Sequence, residues 1–188
     1  MKITSVETTL LAIPFTTGGA PTFLDGRPWT HFDVLLVKIN TDEGISGWGE
    51  AFARGRDLPL KALIDTHIAP LLVGRDPSRI NEIKSWLEVG THAYGRTGYM
   101  PYGIAAVDIA LWDILGKRAG LPLYDLLGGK FANEVSVYAS LMRYGTIDGV
   151  SAATRRALDQ GYRHMKLHEL GVRDRYRATT RRGRLRVA

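Results

Sequence analysis

The run His164-Met165-Lys166-Leu167-His168-Glu169 alternates polar and apolar side chains. Successive strand residues point to opposite faces, so a strand here puts His164, Lys166 and His168 on one face and Met165 and Leu167 on the other. Lys166 and His168 stand at the C-terminal end, and both exchange a proton near neutral pH when their surroundings tune them. Read blandly, the same residues are the solvated end of a strand. His164 and His168 also have the i,i+4 spacing of two zinc ligands on a helix. Glycines at 161 and 171 leave too little room for that helix, and the Glu that follows the first His in such a motif is absent, so no metal site is assigned. Arg54 and Arg56, in the stretch Ala51 to Asp57, are cations suited to an acidic or polyhydroxy substrate, or simply solvated loop arginines.

The strand that carries these residues has a recognisable setting. Glu134 to Leu141 reads as a strand, Ile147 to Gln160 as a helix closed by Gly161, and Arg163 to Glu169 as a second strand. Strand, crossover helix and strand make a βαβ unit with parallel strands, and catalysis on parallel barrels occurs at the C-terminal strand ends. The texture before residue 133 is different. Residues 3 to 13 read as a strand, Gly18 to Pro28 as a long loop, and 32 to 40 with 45 to 52 as an antiparallel hairpin about Thr41-Asp42-Glu43-Gly44. Apolar residues at helical period predict a helix over 58 to 72 and another with Pro77 in its first turn and Gly90 at its end. A third runs from Tyr102 to Ala119, stopped by Gly120 and Pro122. The expected organisation is therefore an α+β segment over 1–133, a βαβ over 134–170, and a tail over 171–188.

Composition sets the limits. The chain has 188 residues, 45% hydrophobic and 23% charged, which fits a folded protein. A whole eight-stranded barrel takes roughly 250 residues by itself. No cysteine is present, which removes disulfides and thiolate chemistry. No run reaches the roughly 18 apolar residues of a membrane span, and the N-terminus makes a poor secretory signal, so the cytoplasm is the expected compartment and no membrane partner is expected. The formal charge of +6 resides in residues 171–188, which hold seven Arg and one Asp. The body has zero net charge and offers no electrostatic case for nucleic acid.

The helix run Ala105-Ala106-Val107-Asp108-Ile109-Ala110-Leu111-Trp112-Asp113-Ile114-Leu115-Gly116-Lys117 is continued by Pro122-Leu123-Tyr124-Asp125-Leu126-Leu127-Gly128-Gly129. It resembles the signature of the mandelate racemase and muconate lactonizing enzyme group of the enolase superfamily, and Gly44-Ile45-Ser46-Gly47-Trp48-Gly49-Glu50 resembles that group's second-to-third strand turn. The resemblance covers residues 1 to 170. It implies an α+β capping domain, a three-stranded antiparallel sheet plus helices, followed by the first βαβ of a truncated (β/α)7β TIM-like barrel. It further implies Mg2+-assisted removal of a proton α to a carboxylate, the step shared by dehydratases, racemases and cycloisomerases acting on small hydroxy or sugar acids. Such enzymes are commonly homo-oligomeric. The second barrel strand of the family ends Lys-x-Lys, which here is Lys166-Leu167-His168. Lys166 matches the lysine that contacts the substrate carboxylate, and His168 takes the position of the base. The two cap loops imply Thr22, Phe23, Arg54 and Arg56 as substrate-binding residues. Asp113 and Lys117, an i,i+4 pair worth a few tenths of a kcal/mol if exposed, read as structural.

The family's metal ligands end the third, fourth and fifth barrel strands, which this chain does not reach. The expectation is an N-terminal part that is inactive alone and binds no Mg2+ tightly. The Arg-rich tail does not resemble the family's next helix and reads as the product of a reading-frame change near residue 170. The alternative is a non-catalytic cap-like module whose basic arm binds a polyanion.

Overall fold

A computed structural model describes residues 1–16, 23–24, 27–52, 55–142, 144 and 146–167. In chain order the strands are β1 (Ile3–Pro14), β2 (Phe23–Leu24), β3 (Arg27–Pro28), β4 (His31–Thr41), β5 (Ser46–Ala51), β6 (Ala139–Ser140) and β7 (Met165–Lys166). The helices are α1 (Asp57–Leu63), α2 (Ala69–Leu72), α3 (Ile80–Gly90), α4 (Tyr99–Ala119), α5 (Leu123–Leu126) and α6 (Ile147–Asp159), with a π-helical turn, Ile64–Ile68, between α1 and α2. Two compact units result: Met1–Ile13 with Phe32–Phe131, and Pro14–His31 with Ala132–Ala188. No helix among the described residues is long and apolar enough to cross a membrane.

The first unit is a three-stranded antiparallel sheet in the order β1-β4-β5 with helices on it. Leu35, Val37 and Ile39 of β4 point into the core and are fully buried. Their partners on β5 are Ala51, Gly49 and Gly47. These small residues let α4 lie on β5 at backbone distance. A Cβ on Gly47 would run into the carbonyl oxygen of Ala110, and one on Gly49 into that of Ala106. The other edge of β5 is occupied as well. The Trp48 N–H donates to Asp113 Oδ2 at 2.8 Å, and Lys117 Nζ donates to the Ser46 carbonyl at 2.8 Å and to Asp113 Oδ2 at 2.7 Å.

The helix expected over 58 to 72 is present, with the π turn inside it. Pro70 has no N–H to close the ordinary bond to residue 66, and the Ala69 N–H bonds instead to the Ile64 carbonyl, five residues back. The widened turn has a packing consequence. Leu60, Ile64, Ile68 and Leu72 recur every four residues and are all fully buried. On an unbroken α-helix that spacing would drift by about 40° at each step, and the π turn keeps the row aligned. It faces α4 at Gly103, where a Cβ would sit 2.6 Å from Ile68 Cδ1.

Pro77 precedes α3 rather than joining its first turn. Asp76 closes a turn there: its carbonyl accepts from the Arg79 N–H at 3.1 Å, and its Oδ1 accepts from the Ser78 N–H at 3.0 Å and the Ser78 hydroxyl at 2.8 Å. Those two Ser78 donors hold the Asp76 carboxyl below the usual carboxylate range. The end of α4 follows expectation. Gly120 is left-handed at φ 65°, the Leu121 N–H bonds to the Gly116 carbonyl at 3.1 Å, and the Gly120 N–H to that of Lys117 at 3.2 Å, a Schellman cap.

In the second unit β6 and β7 are parallel, joined by α6. Thr146 caps α6 by accepting from the Gly149 N–H at 3.1 Å. The ladder spans only two residues of the strand expected over 134–141. Only Ala139 and Ser140 pair with β7, and Val135, Val137 and Tyr138 are exposed. Inside the stretch expected to be a long loop, β2 and β3 form a short antiparallel ladder, Phe23 opposite Pro28 and Leu24 opposite Arg27. The tail 171–188 lies outside the described residues.

The β5–α4 contact makes a direct prediction. Gly47→Ala or Gly49→Ala forces the helix off the strand and destabilises the chain by about 1–3 kcal/mol or more, in line with overpacking of a close-packed core. Gly90→Ala, where a Cβ meets nothing within 4 Å, leaves the urea midpoint nearly unchanged. Equal midpoints for all three variants would contradict the backbone-distance packing.

Candidate functional site

The C-terminal ends of β6 and β7 lie side by side. The Ala139 N–H donates to the His164 carbonyl and the Leu141 N–H to the Lys166 carbonyl, both at 2.9 Å. Side-chain alternation works as expected at two positions. Met165 packs against the small cluster of Leu141, Ala153 and Ala157, while Lys166, on the other face, is exposed. Leu167 is exposed too, so the apolar face of the strand is covered only at Met165. The parallel register pairs Ser140 with Lys166, which places their side chains on one face. Sequence reasoning missed Ser140. Its signal was the βαβ unit itself, because parallel strands align their last residues.

The other expected site residues are distributed between the units or lie outside the described residues. Thr22, Arg54 and His168 are outside them. The backbone of Phe23 belongs to the β2–β3 ladder of the second unit. Arg56, in the first unit, stands immediately before α1 and is exposed. Next to it is a group that sequence reasoning passed over. Asp57, the first residue of α1, is only 5% exposed, and its Oδ1 has no hydrogen-bond partner. Burial, with the negative charge of Asp33 in support, pushes its carboxyl above the usual range. An acid at a helix start is so ordinary in sequence that only its burial distinguishes it.

Among the described residues no three His, Asp or Glu side chains come together as a metal site. The described residues therefore do not fit the Mg2+ that the resemblance implies.

Residues 21–128 match the sequence profile of the family described as "Mandelate racemase / muconate lactonizing enzyme, N-terminal domain". The chain belongs to the mandelate racemase and muconate lactonizing enzyme family. It is 41% identical over 145 residues to a Novosphingobium aromaticivorans protein named D-mannonate dehydratase, covering 76% of this chain and 35% of that protein. It is 40% identical over 138 residues to a D-galactonate dehydratase family member from Marinomonas, covering 72% of this chain and 33% of that one. A solved structure from Mesorhizobium loti, provisionally described as a dehydratase, superposes with a TM-score of 0.73 at 33% identity, over 89% of this chain and 42% of that one. The chain thus spans about a third of the length of its curated relatives. The sheet-and-helix part is the family's N-terminal capping fold, and the short parallel strands fit the start of its barrel.

The parallel register can be tested with a disulfide, because the chain has no cysteine of its own. Cysteines at 140 and 166 face the same way on neighbouring strands about 4.8 Å apart and should cross-link within one chain on mild oxidation. Cysteines at 140 and 165, on opposite faces, should remain free thiols by mass spectrometry. Cross-linking of the second pair and not the first would shift the register by one.

Proposed function

We propose that this chain supplies the cap and the first barrel strands of an enzyme that removes the proton α to the carboxylate of a hydroxy or sugar acid, as the first step of a dehydration. One observation carries the reading: Ser140 and Lys166 share an exposed face at the C-terminal ends of two parallel strands, in a chain of this family. The names of the mannonate and galactonate dehydratase relatives favour a sugar acid as substrate and dehydration over racemisation or cycloisomerisation. On this reading residues 1–133 are the cap and residue 134 begins the barrel.

Lys166 holds the substrate carboxylate. His168, two residues further on, accepts the α-proton. The ordinary histidine pKa, near 6.5, makes a neutral imidazole available as a base near pH 7. Thr22, Phe23, Arg54 and Arg56 contact the rest of the substrate, the two arginines meeting its hydroxyls or carboxylate. In the complete enzyme Mg2+ on oxygen ligands would supply charge stabilisation, from a part of the barrel beyond the described residues.

The test is a chimera of residues 1–170 joined to the remaining barrel of the Novosphingobium relative, assayed with D-mannonate. His168→Asn should lower kcat by about 10² to 10⁴ with KM little changed, because the residue acts only on the proton. Lys166→Met should raise KM as well, since a substrate charge loses its partner. Full kcat in His168→Asn would put the base elsewhere.

A further inference from the structure

A helix on the surface of a protein carries apolar residues on its inward side and charges on its outward side. The inward side of α4 is fully used: Ile104, Val107, Leu111 and Ile114 are buried in the core, and Ala106 and Ala110 lie against β5. Its outward stripe, at helical spacing, is Tyr102, Ala105, Ile109 and Trp112, without one charge. Tyr102 is 42% exposed and Ile109 49%. A helix that is apolar all round belongs in an interior, and here one side of that interior is open. Two grooves flank the stripe, and Ile109 lines both. The first, of about 810 Å³, is lined by Val89, Pro101 and Ala105, with Lys84 and Arg96 among its polar residues. The second, of about 450 Å³, is lined by Trp48, Trp112, Leu121 and Leu123.

The exposure does not stop where α4 ends. Leu123, Tyr124, Leu127 and Phe131 are exposed, and so are Val135 and Val137, which lead into β6. Open apolar surface therefore follows the chain from α4 to the first barrel strand. The match covers only 35% and 33% of the two dehydratase relatives, so about two thirds of each lies outside it. We infer that the outward stripe of α4, continued by α5, is the docking surface for the barrel elements beyond β7. The occupant presents an apolar face centred on Ile109 and Trp112, and α4 then becomes the interior helix that its composition describes. The inference rests on membership of the family and not on the proposed reaction.

The chain has no cysteine, so Ile109→Cys places a single thiol on the stripe. Glu7→Cys is the control, since Glu7 is exposed on the face of the sheet away from α4, where it accepts from Asn40 at 2.6 Å. Labelling by a maleimide is timed by mass spectrometry in the full chain and in the chimera of residues 1–170 with the Novosphingobium barrel. In the full chain both thiols should react fast at every protein concentration. In the chimera Ile109→Cys should slow at least about tenfold, because a covered thiol reacts only on local opening, while Glu7→Cys should not change. Cysteine at the residue aligned with Ile109 in the intact Novosphingobium relative should likewise react at least about tenfold slower in the native protein than in urea, which decides the matter if the chimera does not fold. Fast labelling of Ile109→Cys in a folded chimera, or at the aligned residue of the native relative, would overturn the inference. Slowing in the full chain that deepens with concentration would overturn it as well, because a second copy would then be the occupant. Equal slowing at both positions of the chimera would also overturn it, since the stripe would not be singled out. None of these readouts involves turnover: a covered stripe in an inactive chimera refutes the reaction alone, and an open stripe in an active one refutes the docking alone.

Discussion

A helix can rest on a strand at backbone distance only where neither puts a side chain between them. In the first unit Gly47 and Gly49 of β5 meet the Ala106 and Ala110 stretch of α4, and much else follows from that contact. Because α4 sits low on β5, Val107, Leu111 and Ile114 reach the core that Leu35, Val37 and Ile39 fill from β4. Because α4 presents Gly103 to its neighbours, the row from Leu60 to Leu72 can close over it. Replacing the small residues would lift the helix and open both layers at once.

The same helix finishes the edge of the sheet. Asp113 accepts from the outward N–H of Trp48, and the Lys117 ammonium donates a hydrogen bond to the outward carbonyl of Ser46. A carboxylate and an ammonium one turn apart thus stand in for the acceptor and donor of a further strand. These two outward groups are thereby withdrawn from pairing with another chain. The pair is half exposed, so its ionic part alone would contribute little. Its worth lies in the backbone groups it satisfies, which the i,i+4 spacing in the sequence does not disclose.

What could be read in advance divides along physical lines. The hairpin, α4 and the βαβ order were legible because period, glycine stops and parallel crossover rules are local or nearly local signals. The family was legible because the run from Ala105 to Gly129 is long and unusual in its combination of residues. The π turn was not, since Pro70 reads as an ordinary helix-tolerated proline until the strict fourfold row beside it is seen to need realignment. Pro77 was misplaced because Asp76 can start a turn as readily as a helix, and the two Ser78 donors settle it only in three dimensions. In the candidate site, Lys166 followed from strand alternation. Ser140 required the register, and Asp57 required knowing what encloses it.

The functional account stands or falls on whether the α-carbon of the substrate is deprotonated at the strand end bearing Lys166. Incubation of the completed chimera with D-mannonate in deuterated water, with the α position followed by proton NMR, tests that most directly. Dehydration turns the α-carbon into a ketone, so the account predicts that the α-hydrogen is lost to solvent and that one deuterium enters the neighbouring carbon as the enol tautomerises. A product in which the original α-hydrogen has moved to the neighbouring carbon, with no deuterium taken from solvent, would contradict proton abstraction.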